Sequence, residues 1–247
     1  MGQAHPAATD RLGDVVIRPV RGHHAFEGCV EQLATAIRLG VYATGSALPP
    51  EREMAERMGV SRATLREAIA ALREARMVRT TRGRGGGTVV AYEPAAPGGG
   101  AAVGGLAGRG EQLLDCLVFR RIVEPGACWT AASRELTAAE RLLLTTSLTA
   151  VDRAPDPAAH RQADSRLHLA IATVSGSPMT VAAVTEVQSD LHDMLQAIPV
   201  LEPNIDHSNA QHRTIVTAIL AGDAVRARRA MEQHCDDTAA LLRGLLG

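Results

Sequence analysis

The sequence predicts a mainly α-helical protein in two parts: a basic N-terminal helix-turn-helix carrying a small β-hairpin, and a C-terminal antiparallel bundle of six or seven helices. Three observations carry this prediction. Residues 48–69 hold two short helical patterns separated by Gly59-Val60-Ser61, a turn that stops one helix and caps the next. Residues 93–105 read Glu-Pro-Ala-Ala-Pro-Gly-Gly-Gly-Ala-Ala-Val-Gly-Gly, a composition that cannot build a core and suits a flexible connection. Residues 111–247 carry helical apolar periodicity almost throughout and no convincing period-two strand.

In chain order, residues 1–22 have no periodic pattern and read as a mobile tail. A basic domain occupies 23–92, a linker 93–108 and the bundle 109–247. Within the basic domain a first helix over about 25–39 ends at Gly40, and Pro49-Pro50 stands before a second helix carrying Met54, Ala55 and Met58. Gly59 closes that helix and Ser61 caps the third, on which Leu65, Ala68, Ile69 and Leu72 share one arc beside Arg62, Arg66 and Arg73. Residues 77–80 and 87–90 read as two strands around Arg82-Gly83-Arg84-Gly85-Gly86, a hairpin wing. In the bundle, breaks fall at 133–137, 153–157, 175–178, 198–206 and 222; a seventh helix arises only if the first splits at Glu124-Pro125.

Composition narrows the function. At 247 residues and 46% hydrophobic, the chain can bury a core in each of two domains. No apolar run approaches the ~18 residues of a membrane span and no signal-peptide pattern opens the chain, so a soluble, cytoplasmic protein with no membrane partner is expected. Cys29, Cys116, Cys128 and Cys235 are too few and scattered to staple a fold of this size and read as reduced thiols. All 26 basic residues are arginine, which excludes lysine Schiff-base chemistry, and 2% aromatic content argues against base-stacking on single strands. The net charge of −1 hides an asymmetry: residues 24–92 hold ten arginines against seven acidic residues, whereas 111–247 hold twelve against seventeen. Binding to a polyphosphate belongs to the first part.

Arg62 and Arg66 sit in the first two turns after a capped turn, where a recognition helix presents side chains to double-stranded DNA. Arginine there can contact guanine bidentately, while Ser61 and Thr64 offer hydroxyls to phosphates. Glycines in the wing allow the backbone to approach a minor groove that Arg82 or Arg84 enters. In the bundle, Asp164 and His168 are one helical turn apart, and His212 and His234 each lie on an apolar arc of their own helix. Three imidazoles and a carboxylate suit zinc, nickel or another first-row divalent ion. His160, four residues before Asp164, and Cys235, beside His234, are rival donors.

Val-Glu-Gln-Leu-Ala-Thr-Ala-Ile-Arg-Leu-Gly at 30–40, Leu-Pro-Pro-Glu-Arg-Glu-Met-Ala at 48–55, Gly-Val-Ser-Arg-Ala-Thr-Leu-Arg-Glu-Ala-Ile at 59–69 and the glycine-rich wing resemble the winged helix of the GntR family of bacterial transcription regulators. The resemblance implies that Arg52, Arg62, Thr64 and Arg66, with a wing glycine such as Gly83, face operator DNA. The wing departs from the family pattern in being longer and looser. Phe-Arg-Arg-Ile-Val-Glu-Pro at 119–125, Asp-x-x-x-His at 164–168, His-Arg-Thr-Ile-Val-Thr-Ala-Ile-Leu-Ala-Gly-Asp at 212–223 and Met-Glu-Gln-His at 231–234 resemble the FCD effector domain of the FadR subfamily. By that resemblance Asp164, His168, His212 and His234 hold a divalent metal whose open positions take a small organic acid, and Arg120, or alternatively Arg121, pairs with the acid's carboxylate. Ser175-Gly176-Ser177-Pro178 departs from the pattern, which has an asparagine after the glycine.

The expected protein is a homodimeric regulator, repressor or activator, that reads two half-sites of an operator and responds to the acid. A metal-dependent enzyme built on the bundle is the alternative, although no convincing nucleophile or general base accompanies the four donors. A sequence-independent chromosome-binding protein would need basic surface over most of its length, which the acidic bundle lacks.

Overall fold

In the computed structural model of the chain, residues 12–13, 15–20, 25–81, 87–94, 110–197 and 202–246 are described. The wing tip, with Arg82 and Gly83, and most of the linker lie outside them. The chain divides into two units, Met1–Pro94 and Ala95–Gly247.

The first unit is assembled around a recognition-type helix. Helices α1 (Ala25–Arg38), α2 (Glu51–Met58) and α3 (Arg62–Glu74) precede the antiparallel strands β1 (Val78–Thr81) and β2 (Gly87–Val90). α3 packs on α1, α2 and β1 through Leu65, Ala68, Ile69 and Leu72, all buried, which leaves Arg62 and Arg66 outside. Gly59 ends α2 with φ 65°, a left-handed conformation that glycine adopts without a Cβ clash. Two residues on, Ser61 Oγ accepts the Thr64 backbone N–H at 3.0 Å and starts α3. β1 begins one residue later than the sequence pattern indicates because Met77 N–H still donates to the Leu72 carbonyl, 2.9 Å away, at the end of α3. On the other side of β2, Leu48 N–H donates to Thr88 and Gly45 N–H to Val90.

Part of the expected mobile tail is packed. Leu12, Val16 and Ile17 are buried, Arg18 N–H donates to Gln32 Oε1 and Val20 N–H to the Met58 carbonyl, both at 2.8 Å. Three apolar residues within one short helical segment are too few to register as a period, yet they suffice to seat the segment.

The second unit comprises, among the described residues, six helices: α4 (Gly110–Ala132), α5 (Ala138–Asp152), α6 (Pro157–Val174), α7 (Pro178–Ala197), α8 (Glu202–Leu220) and α9 (Ala224–Leu246). α4 runs through Pro125 without splitting, so the count is six. It is the hub, packing on α6, α7, α8 and α9, while α5 packs on α6 and α8. The predicted breaks have identifiable causes: a Thr137–Glu140 capping box opens α5, Asp156 caps α6 ahead of Pro157, and Gly176 and Gly222 adopt φ 76° and 74°. All four cysteines are buried and unpaired. No helix among the described residues is long and apolar enough to cross a membrane.

A candidate metal centre and a candidate DNA-reading face

Three helices of the bundle each bring one histidine to a common point. His168 on α6, His212 on α8 and His234 on α9 are all buried, and one nitrogen of each lies within 4.8 Å of the others. The ring centroids are 4.6 to 5.4 Å apart. Asp164, one turn before His168, places Oδ1 3.4 Å from His212 Nε2 and Oδ2 3.9 Å from His168 Nε2. Among the described residues, the Nε2 atoms of all three histidines lack a hydrogen-bond partner. Each such buried atom costs about 1–3 kcal/mol, so three of them on rings this close fit an electrophile among them.

The ring protons are placed from outside the cluster. His168 Nδ1 lies 2.9 Å from Glu124 Oε2, and His234 Nδ1 lies 3.1 Å from Gln211 Oε1, whose own amide donates to Asp237 at 2.7 Å. The Gln211 oxygen puts the His234 proton on Nδ1 and leaves its Nε2 as a lone pair, the form that ligates a metal; at His168 the carboxylate is close to Nδ1 but outside hydrogen-bond geometry, and its charge favours a proton on that side of the ring. Burial pushes the His212 imidazole down to about 4, against a smaller upward pull from Asp164, and also drives His234 well below its ordinary value. Both are neutral at physiological pH. Burial alone would raise Asp164, but His212, His168, His160 and Arg120 together hold it below its ordinary value, as an anion.

Beside the cluster is a cavity of about 160 Å³, lined by Arg120, Arg161, Asp164, His234 and a mixed polar and apolar wall that includes His160, His207, Leu191 and Leu241. A single water needs only ~10–15 Å³, so this space suits a small organic molecule. His168 and His212 are not among its lining residues. Arg120 is 1% exposed, with Nε 3.1 Å from Glu124 Oε2 and a buried Nη1 that has no protein partner. Arg121, its neighbour, is on the outside of α4, held by Asp236 at 2.8 Å and Glu232 at 3.3 Å, and does not line the cavity. Of the two arginines read as acid receptors, Arg120 lines the cavity and Arg121 does not. His160 lines the cavity with Nε2 on Asn209 at 2.9 Å. Cys235 instead points its thiol at Glu124, 3.8 Å away, and burial pushes it up to about 12. Glu124, Gln211 and Asp237 went unrecognised in the sequence; the i, i+4 spacing of Arg120 and Glu124 was the available signal.

On the first unit, Ser61, Arg62, Thr64 and Arg66 occupy the start of α3, with Arg52 on α2. The Ser61 hydroxyl is engaged as the cap, 2.9 Å from Thr64 Oγ1. Arg66 Nε donates to Glu51 Oε2 at 2.7 Å, and Arg52 pairs with Glu56 at 3.3 Å, both at the surface. Exposed pairs of this kind are worth about 0–1 kcal/mol, so a phosphate can displace the carboxylates.

A capped recognition-type helix with a hairpin beside it, joined in one chain to a helical bundle with a buried histidine cluster, defines a transcriptional regulator. Residues 27–90 match the description "Bacterial regulatory proteins, gntR family" and residues 115–237 match "FCD domain". The chain belongs to the GntR family, in its FadR-like, FCD-containing subfamily. An Escherichia coli K12 protein whose name assigns it to regulation of an L-lactate dehydrogenase operon is 32% identical over 77% of this chain and 75% of its own. The transcriptional repressor NanR of Cronobacter sakazakii is 27% identical over 96% of this chain and 93% of its own. The solved E. coli McbR/YncC structure shares the fold, with a TM-score of 0.54 at 16% identity over 90% of this chain and 99% of that one.

Proposed function

We propose that the protein is a cytoplasmic homodimeric repressor whose affinity for double-stranded operator DNA is set by a small organic acid, bound in the bundle at a divalent metal held by Asp164, His168, His212 and His234. The observation that carries this reading is the meeting of three buried histidines, each with a partnerless Nε2 and a ring nitrogen within 4.8 Å of the others, beside a cavity lined by Arg120, whose buried Nη1 has no hydrogen-bond partner. An all-nitrogen trio with one carboxylate suits zinc or nickel. When bound, the metal supplies a Lewis-acidic position for a carboxylate oxygen, and Arg120 offers that carboxylate a charge-assisted hydrogen bond from the opposite end.

DNA contact is assigned to Arg52, Ser61, Arg62, Thr64 and Arg66, and to Arg82 and Gly83 of the wing. Repression follows the named activity of the NanR relative. The homodimer is supported by α4, which exposes Leu114, Val118, Phe119, Ile122 and Trp129, an apolar stripe of the kind that marks an interface. The acid changes operator affinity only as far as it binds the two conformations of the dimer unequally.

Fluorescence anisotropy with DNA upstream of the protein's own gene tests the whole reading. We expect salt-sensitive binding that shifts when zinc-loaded protein meets L-lactate or a related small hydroxy acid, and that collapses in the double variant Arg62→Ala, Arg66→Ala. Operator affinity unchanged in that variant would remove the recognition-helix assignment. Equal response with and without metal would remove the metal from the effector site.

A further inference from the structure

Glu124 lies outside the donor set proposed above, yet it touches the centre from behind. It is 2% exposed, on α4, and its two oxygens are fully engaged. Oε2 lies 2.9 Å from His168 Nδ1, 3.1 Å from Arg120 Nε and 3.8 Å from Cys235 Sγ, while Oε1 accepts from Gln188 Nε2 at 2.7 Å. An ionised carboxylate is an acceptor only. The 2.9 Å contact is off hydrogen-bond alignment, but were the His168 proton on Nε2, the bare Nδ1 would still stand beside a carboxylate oxygen inside the core, a repulsive contact. With the proton on Nδ1 the contact is attractive and Nε2 is left as a lone pair toward His212 and His234.

We propose that Glu124 is the positioning residue of the metal centre: one carboxylate oxygen fixes the ligating tautomer of His168 and also anchors the guanidinium of Arg120, so the metal donor and the acid receptor share a single support. This rests on the metal reading above. Residues that hold a metal-ligating histidine from its far side are typically worth about 10–100-fold in metal affinity, and the same magnitude is expected here. Gln188 acts as the brace, since its amide occupies Oε1 and leaves Oε2 to the other two partners.

Two measurements on the full chain test the role. In metal-free wild-type protein with ¹⁵N-labelled histidine, long-range ¹H–¹⁵N correlation spectra should show His168 protonated at Nδ1; protonation at Nε2 overturns the proposal. Zinc affinity, read by competition with a chromophoric chelator, should fall about 10–100-fold in Glu124→Gln. Because Glu124→Gln leaves Arg120 without its counter-charge and can unfold the bundle, the double variant Arg120→Met, Glu124→Gln is measured beside it. That variant removes one charge of each sign, so a fall in zinc affinity cannot be laid to net charge. Wild type that binds zinc while a folded variant binds it equally well defeats the role of Glu124 alone. Wild type that binds no zinc defeats the metal reading itself. If neither variant folds, the His168 tautomer decides.

Discussion

The molecule uses the same pair of residue types in two opposite ways. Arg66 and Glu51 meet at 2.7 Å at the surface of the DNA-reading unit, with side chains 59% and 36% exposed; Arg120 and Glu124 meet at 3.1 Å in the bundle, 1% and 2% exposed. In water the first pair is nearly indifferent to whether it forms, and its arginine is available to a phosphate. In the core the second is obligatory, because either charge left alone there has no solvent to stabilise it. Arginine on the α3 face is held by a contact that water can replace, whereas arginine in the bundle is a structural commitment with a buried Nη1 that has no protein partner. Geometry at the contact is similar in both cases, so it is burial that decides the difference.

The sharpest way to break this comparison is to remove one partner from each pair. Arg120→Ala should destabilise the bundle by about 3–5 kcal/mol, since Glu124 remains buried and uncompensated, whereas Arg66→Ala should change stability by no more than about 0.5 kcal/mol. Urea unfolding of the full-length variants measures both, and similar losses would mean that burial does not separate the pairs. Next in size is metal. Zinc at about a thousand times its dissociation constant should stabilise the protein by about 4 kcal/mol, seen as a rise in Tm, and His212→Ala should abolish that rise.

Acid probes the same buried cluster without metal. His212 has its folded value pushed down to about 4 from 6.5, with burial as the leading cause. Protonation therefore favours the unfolded chain. The stability contributed by keeping His212 neutral is fully present above about pH 6.5 and is lost as the pH falls toward 4, by at most about 3 kcal/mol. His234 is displaced in the same direction. Asp164, held below its ordinary value, adds its loss only at lower pH, below the usual carboxylate range. Chemical denaturation of metal-free protein at pH 7.5 and pH 5 should show the loss, and a flat profile across that window would place the imidazoles in water rather than in the core.

The two regions also differed in how readable they were. In the first unit the local signals were complete: Gly59, Ser61 and the Leu65, Ala68, Ile69, Leu72 arc lie within fourteen residues and determine a capped helix by short-range physics. The bundle's helix breaks were legible for the same reason, through Thr137, Asp156-Pro157, Gly176 and Gly222. Pro125 left the count open at six or seven, and packing of α4 against four other helices, which overrides the local preference to break, makes it six. The histidine trio was suggested by each residue's apolar arc, but that the arcs meet is a tertiary fact. Gln211 and Asp237 left no local signal, and Glu124 only its i, i+4 spacing from Arg120: what they do depends on the partner opposite, His168 for Glu124 and His234 for Gln211, and those partners are tens of residues away in the chain.

The smallest expected effect is the one that most sharpens the contrast. A double-mutant cycle on Glu51 and Arg66 should return a coupling of about 0.2–1 kcal/mol in stability. Glu51 also stands in the first turn of α2, where a carboxylate is favoured by the helix dipole, so Glu51→Gln carries a further cost of about 0.3–1 kcal/mol that the cycle subtracts. On operator DNA the sign should reverse. Glu51→Gln releases Arg66 from its carboxylate and removes a negative charge beside the reading face, so binding should tighten, with a larger gain at low salt than at high. In the Arg66→Ala background the part of that gain that comes from freeing the guanidinium should vanish, leaving only the charge effect. If Glu51→Gln tightens operator binding equally in both backgrounds, Arg66 does not exchange Glu51 for DNA.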